Sequence, residues 1–336
     1  MLDLNNPETK FALHAVYQAM AIVGQIQAEL VTSALTKDDR SPVTVADFAS
    51  QALIAQLLEE AFPNDPLVGE EDSSALRAQE ERFTLDQVTR FVSRFLPQAN
   101  SDKVCTWIDR GKSAPSNRFW TLDPIDGTKG FLRGDQYAVA LALIIDGQVQ
   151  LGVLGCPNLS DGFRPDHDGR GSLVAASKGE GTWVTPADVD ARRLSAVDFE
   201  RLSVSRRSDP SQARILRSFE AGHTNVGQID EIAHTLGVTV EPVRMDSQAK
   251  YAVLAAGKGD LMLRLLSPAK PNYREKIWDQ AAGSLVVEEA GGRITDLRGE
   301  KLDFTAGRTL DNNRGILASN GHLHLAALEA LKSLDA

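Results

Sequence analysis

A hydrophobic run, Phe119-Trp120-Thr121-Leu122, ends directly in Asp123-Pro124-Ile125-Asp126-Gly127-Thr128-Lys129-Gly130, and few folds can use such a string. A strand over 119–122 would deliver Asp123 rigidly. Pro124 restricts the turn that follows and Gly127 lets the backbone bend sharply, so two carboxylates and the Ile125 carbonyl can converge on one point. An all-oxygen set of this kind suits magnesium. In isolation the same string also reads as a strand-ending turn whose aspartates hydrogen-bond nearby amides. An EF-hand loop starting at Asp123 is excluded, because Ile125, Gly127 and Gly134 would stand where side-chain ligands are needed.

Further acids sit in ordered surroundings. Ser41-Pro42-Val43-Thr44-Val45-Ala46-Asp47 precedes the turn, Gly69-Glu70-Glu71-Asp72 lies between, and Trp278-Asp279 follows in the second half. Each has an ordinary alternative: Asp47 as the end of a capping box begun at Thr44, Glu70 as part of a solvated acidic run, Asp279 as a helix N-cap. Gathering four acids has a cost, since like charges about 4 Å apart repel by roughly 4 kcal/mol at an effective dielectric of 20. Such a cluster therefore calls for cations. The net charge of -10 points the same way, because an anionic substrate would need bound cations to reverse the local potential.

With 336 residues the chain is long enough for two lobes with a cleft, and the pattern changes between its halves. Leu13, Val16, Met20, Val23, Ile26 and Leu30 mark one face of a long helix over 7–30. A second helix is expected from Thr44, turning Leu53, Ile54, Leu57, Leu58 and Ala61 inward before Pro63 and Pro66. A short strand at 67–69 follows, then a polar stretch over 73–117 that reads as a peripheral insertion. Strands at 119–122, 137–145, 149–154, 173–176 and 182–184 complete an N-terminal α+β lobe over 1–198, with Asp146-Gly147 as a hairpin turn. The C-terminal lobe, 199–336, alternates as α/β: strands near 202–205, 238–243, 261–265, 293 and 315, and helices from Ser211, near Ile229, from Ala249, over 279–290 and after Gly321.

Taken together and in order from 41 to 320, these strings resemble the inositol monophosphatase superfamily of lithium-sensitive, magnesium-dependent phosphatases. Within it, Asp126-Gly127-Thr128-Lys129-Gly130-Phe131-Leu132-Arg133-Gly134, Asp246-Ser247-Gln248-Ala249-Lys250-Tyr251 and Glu275-Lys276-Ile277-Trp278-Asp279 look like the 3'(2'),5'-bisphosphate nucleotidase branch. The resemblance implies a layered α-β-α-β-α sandwich of two lobes. It implies two or more Mg2+ ions held by Glu70, Asp123, the Ile125 carbonyl, Asp126 and Asp279, with Asp47 as base and Thr128 as its partner in activating a water. The implied substrate is adenosine 3',5'-bisphosphate, with 3'-phosphoadenylyl sulfate as a second, addressed by Thr128, His223, Ser247, Lys250, Arg264 and Asp279. Arg264 also stands out without the resemblance: it interrupts an apolar strand, where a buried guanidinium needs a phosphate or carboxylate partner. Inositol polyphosphate 1-phosphatase or inositol monophosphatase activity is the enzymatic alternative, and a noncatalytic nucleotide-binding sensor the alternative of another class.

The acidic balance argues against a nucleic acid polymer or an anionic membrane surface as partner. No stretch approaches a membrane span, and the N-terminal residues lack the apolar core of a signal peptide. Cys105 and Cys156 have neither zinc-site nor disulfide-framework spacing and are expected to be buried thiols. A cytoplasmic monomer is the resulting expectation.

Overall fold

The N-terminal helix forms as α1 (Pro7–Ile26), with Pro7 in its first turn and the Asn6 side chain accepting from the Thr9 N–H. It runs into one π-helical turn, Gln27–Val31, where the expected helix would have continued. The structure is a computed structural model that describes residues 1–31, 41–160, 170–188, 195–219, 226–267 and 269–334. Helix α2 (Ser41–Ala61) starts at Ser41 rather than Thr44, so Thr44 lies inside the helix and cannot form a capping box with Asp47. Leu53, Ile54 and Leu58 are buried as expected, whereas Ala61, on the last turn, is exposed.

Seven strands form the first sheet in the order of the chain: β1 (Leu67–Gly69), β2 (Arg118–Asp126), β3 (Ala138–Ile145), β4 (Gln148–Cys156), β5 (Ser172–Ser177), β6 (Gly181–Pro186) and β7 (Glu200–Leu202). Only β1 and β2 are parallel among these neighbours. The β3–β4 turn has positive φ at both Asp146 and Gly147, the conformation that suits the twist of a tight hairpin. Because β7 pairs with β6, this sheet extends slightly past the boundary expected at 198.

The 73–117 stretch is not a peripheral insertion. It forms α3 (Arg82–Ser93) and α4 (Ser101–Asp109), which pack on α2 through buried Val88, Phe91, Val92, Val104, Trp107 and Ile108. Apolar positions confined to one side of two short helices dilute the overall composition, which is why the stretch reads as polar.

The remaining elements are β8 (Ile215–Arg217), α6 (Val226–Thr235), β9 (Val243–Arg244), α7 (Ala249–Ala255), β10 (Leu261–Arg264), α8 (Ala281–Glu289), β11 (Arg293–Thr295), β12 (Ile316–Ser319) and α9 (His324–Ser333). Five of them form a second sheet, β11-β12-β10-β8-β9. The helix expected from Ser211 is only a 3-10 turn, Pro210–Gln212, because the following Ile215 and Leu216 pair with β10. The strand expected over 238–243 shrinks to Val243–Arg244.

Strand periodicity places these parts in layers. Leu141 and Leu143 on β3 face α1 and α2, whereas Ala140, Ala142 and Ile144 face α7 and α8. Helices α7 and α8 thus lie between the two sheets, and α6 and α9 cover the outer face of the second. The result is the expected α-β-α-β-α sandwich. No helix among the described residues is long and apolar enough to cross a membrane, and both cysteines are buried and free.

Candidate active site

Strand β2 continues through both aspartates of the turn. Its pairing with β3 slips between Asp123, opposite Ala140, and Asp126, opposite Ala138, so Pro124 and Ile125 form an irregularity that re-aims the chain. Gly127 follows with φ of 91°, and a Cβ there would meet the Ser247 Cβ at 2.7 Å, so the turn abuts the Ser247 segment with no room for a side chain. The join is completed by Asp126, whose Oδ2 accepts from the Gln248 N–H at 2.6 Å, and by Ser247 itself, held at φ of 66°. Thr128 then opens a short helix, α5 (Thr128–Arg133).

A cleft of about 300 Å³ lies at this junction, lined by Glu70, Asp123, Ile125, Asp126, Thr128 and Asp279 together with Ser247, Lys250 and Arg264. Nine of the positions singled out in the sequence therefore share one cavity. Asp47 does not line it. It is buried on α2, close enough to Asp123, Glu70 and Glu71 to interact with them unfavourably as like charges. No hydrogen bond joins Asp47 to Thr128 among the described residues, and Thr128 is exposed to the cleft. His223 lies outside the described residues. Asp279 precedes α8 without capping it, because Gln280 occupies the cap position.

The acids are held under stress. Burial, followed by the charges of Glu70, Asp126, Asp279 and Asp47, raises the Asp123 pKa well above the usual carboxylate range. Burial likewise raises Asp47, Glu70 and Asp279, and pushes Glu71 up to about 7. Asp123 is 2% exposed, and its Oδ1 has no hydrogen-bond partner. A buried carboxylate oxygen without a donor, surrounded by other acids, fits a divalent cation. Among the described residues no three His, Cys, Asp or Glu side chains close into a finished ligand cage, so water and substrate oxygens would have to complete the coordination, as is usual for magnesium.

Cationic groups line the same cleft. Arg264 Nη2 pairs with Glu275 Oε2 at 2.8 Å and lies 3.8 Å from Asp279 Oδ2, so its anionic partner is a carboxylate of the chain itself. Burial works against its charge, but these acids more than compensate and its pKa is raised. Its Nε has no partner. Lys250 Nζ donates to Ser218 Oγ at 3.1 Å, and burial lowers its pKa to about 8. Ser218, Tyr273 and Lys276 line the same cleft and were not foreseen. Lys276 stands two residues before Trp278, so its neighbourhood was a signal; Ser218 and Tyr273 carry none that a sequence could show.

The chain matches the inositol monophosphatase family over residues 5–336. It is 41% identical to a 3'(2'),5'-bisphosphate nucleotidase of Schizosaccharomyces pombe over 96% of this chain and 94% of that one. It is 42% identical to a 3'(2'),5'-bisphosphate nucleotidase of Oryza sativa over 97% of this chain and 93% of the relative. Among solved structures, the inositol monophosphatase of Anabaena (Nostoc) sp. PCC 7120 superposes with a TM-score of 0.61, covering 98% of this chain and 97% of its own, at 20% identity. At that identity the likeness concerns the fold alone.

Proposed function

The chain belongs to the inositol monophosphatase family, and on that premise we propose that it hydrolyses the 3'-phosphate of adenosine 3',5'-bisphosphate to give AMP and phosphate, with 3'-phosphoadenylyl sulfate as a second substrate. The observation that carries this reading is one cleft lined both by the acids, with an unpartnered buried Asp123 oxygen, and by Lys250 and Arg264. A phosphomonoester needs cations at the scissile phosphate, and a bisphosphate needs a second cationic place.

The family is metal-dependent, generally on magnesium. Two or more Mg2+ ions held by Glu70, Asp123, the Ile125 carbonyl, Asp126 and Asp279 would neutralise the phosphate oxygens and make a nearby water more acidic. Thr128 is exposed where it can orient that water. Asp47, buried on α2 and not itself lining the cleft, acts with Thr128: the water's proton passes by way of the Thr128 hydroxyl to the Asp47 carboxylate. The water oxygen bonds to phosphorus as the bond to the 3'-oxygen breaks; the leaving 3'-oxygen takes up a proton from solvent water, and the proton held by Asp47 returns to solvent. Lys250, Ser247 and Arg264 address the remaining phosphate and nucleoside, and His223 belongs to the same group by its place in the sequence. A cytoplasmic monomer is part of this reading, supported by the two free buried thiols and the acidic charge balance.

Phosphate release from adenosine 3',5'-bisphosphate, inositol 1,4-bisphosphate and inositol 1-phosphate, measured with Mg2+, tests the proposal. Preference for the nucleotide is expected. Preference for either inositol phosphate would refute the substrate, and binding of nucleotide without turnover would favour a sensor.

A further inference from the structure

We propose that Arg308 is a positioning residue which, with Gln51, sets the direction of the Glu70 side chain and ties it to the segment that carries Asp279. The inference rests on the reading of Glu70 and Asp279 as parts of the metal-dependent site. Neither Arg308 nor Gln51 lines the cleft.

The direction in which a side chain leaves the backbone, its Cα–Cβ bond, follows from the two peptide planes that flank its Cα, and both planes around Glu70 are held by buried or half-buried side chains. In the plane before Glu70, the Gly69 carbonyl accepts from Arg308 Nη2 at 2.5 Å. In the plane after it, the Glu71 N–H donates to Gln51 Oε1 at 3.0 Å. Gln51 Nε2 also donates to the Glu71 carbonyl at 2.6 Å and to the Ile108 carbonyl at 2.8 Å. Arg308 Nη1 reaches the carbonyls of Gly111 at 2.9 Å and Ser113 at 3.3 Å. The two grips share one knot, since the Gly69 N–H donates to the Gly111 carbonyl at 2.9 Å. Glycine is required at both positions for this to close: a Cβ would lie 2.5 Å from the Gln51 amide at Gly69 and 2.4 Å from it at Gly111.

Gln51 stands one helical turn after Asp47 on α2, so it also fixes Glu70 relative to that acid. Arg308 also reaches the segment that carries Asp279. Its guanidinium sits 5.0 Å from the centre of the Trp278 ring, and its carbonyl accepts from the Ile277 N–H at 3.2 Å. Glu70 and Asp279 come from segments about two hundred residues apart, and this one side chain touches the backbone before the first and the residue before the second. A guanidinium bound to three carbonyls rather than a carboxylate acts here through its planar fork.

The test compares Arg308→Gln, Arg308→Lys and Glu70→Gln in the full chain. Mg2+ binding to substrate-free protein is read by calorimetry, and the Mg2+ concentration for half-maximal phosphate release by kinetics. Outer partners of metal ligands are worth about 10- to 100-fold in metal affinity or activity, so Arg308→Gln should weaken Mg2+ binding and raise the half-maximal concentration by that range, with KM for substrate little changed at saturating Mg2+. Arg308→Lys keeps the charge and loses the fork, so it should fall on the same side; it also carries the test if Arg308→Gln does not fold. Wild-type Mg2+ affinity in either folded variant overturns the proposal. Unchanged Mg2+ binding in Glu70→Gln would instead remove the underlying reading of Glu70, whatever the arginine variants do.

Discussion

Replacing Asp123 by Asn should stabilise the metal-free protein while abolishing its activity. Asp123 is 2% exposed, leaves one oxygen without a donor, and faces the charges of Glu70, Asp126, Asp279 and Asp47. A unit charge about 6 Å from another at an effective dielectric of 20 meets roughly 3 kcal/mol of repulsion. Protonation relieves part of this, so a net gain of about 1 to 3 kcal/mol is expected for the neutral amide, the range for relieving one unsatisfied buried group. In a chain of this size that raises the unfolding midpoint by roughly 1 to 4 °C. The sign follows from linkage: a carboxyl whose folded pKa lies above its unfolded value favours folding at low pH, and that contribution is lost as pH rises. The gain should therefore be seen in EDTA at pH 8 and vanish near pH 4. Added Mg2+ should reverse the order, because wild type gains about 2.7 kcal/mol at 100 times its dissociation constant and Asp123→Asn gains little. Thermal unfolding with EDTA and with Mg2+ measures both. A variant less stable than wild type in EDTA, or one equally stabilised by Mg2+, would refute the account of Asp123 as a repelled cation ligand.

Activity should disappear in EDTA, return with Mg2+, and fall when Li+ is added to Mg2+-loaded protein; turnover persisting in the chelator would rule out metal dependence. Asp47→Asn or Thr128→Ala should lower kcat by about 10²- to 10⁴-fold with little change in KM, measured by steady-state phosphate release. Arg264→Ala should lower kcat/KM for adenosine 3',5'-bisphosphate about 10- to 150-fold more than for inositol 1-phosphate, the worth of one charge-assisted hydrogen bond. Because Arg264 also pairs with Glu275 and Asp279, an equal loss on both substrates would assign it to that internal pair alone. Gly127→Ala should cost roughly 2 to 4 kcal/mol of stability, combining a left-handed backbone with a 2.7 Å contact to Ser247, as read from denaturant unfolding.

The acids of the cleft were legible in the sequence because each adjoins an apolar run whose pattern is local: Asp123 after Phe119-Trp120-Thr121-Leu122, Glu70 after Leu67-Val68, Asp279 before an apolar helix. The layers were legible from the resemblance and from the change of pattern between halves. What escaped depends on distant pairing. Ile215-Leu216 becomes a strand only because β10 lies beside it, so local spacing suggested a helix. For Arg264 the sequence called for a phosphate or a carboxylate without showing which, because nothing near it in sequence shows that Glu275 turns back to meet it. Gln51 and Arg308 escaped for the same reason: their partners are main-chain carbonyls and amides of segments that the sequence does not show to be adjacent.

The middle layer has a consequence for how the chain is made. By Leu202 the whole first sheet has been synthesised, with α1 and α2 ready to cover one face. The other face, carrying Phe119, Ile144, Leu154 and Val174, waits for α7 and α8, which end at Ala255 and Glu289. At about 5 to 20 residues per second, the remaining stretch takes on the order of 10 s to emerge, during which a broad apolar sheet surface meets solvent. Premature termination between these points should yield an aggregating fragment, and pulse-labelled nascent chains halted near residue 210 should be captured by chaperones that release the finished chain.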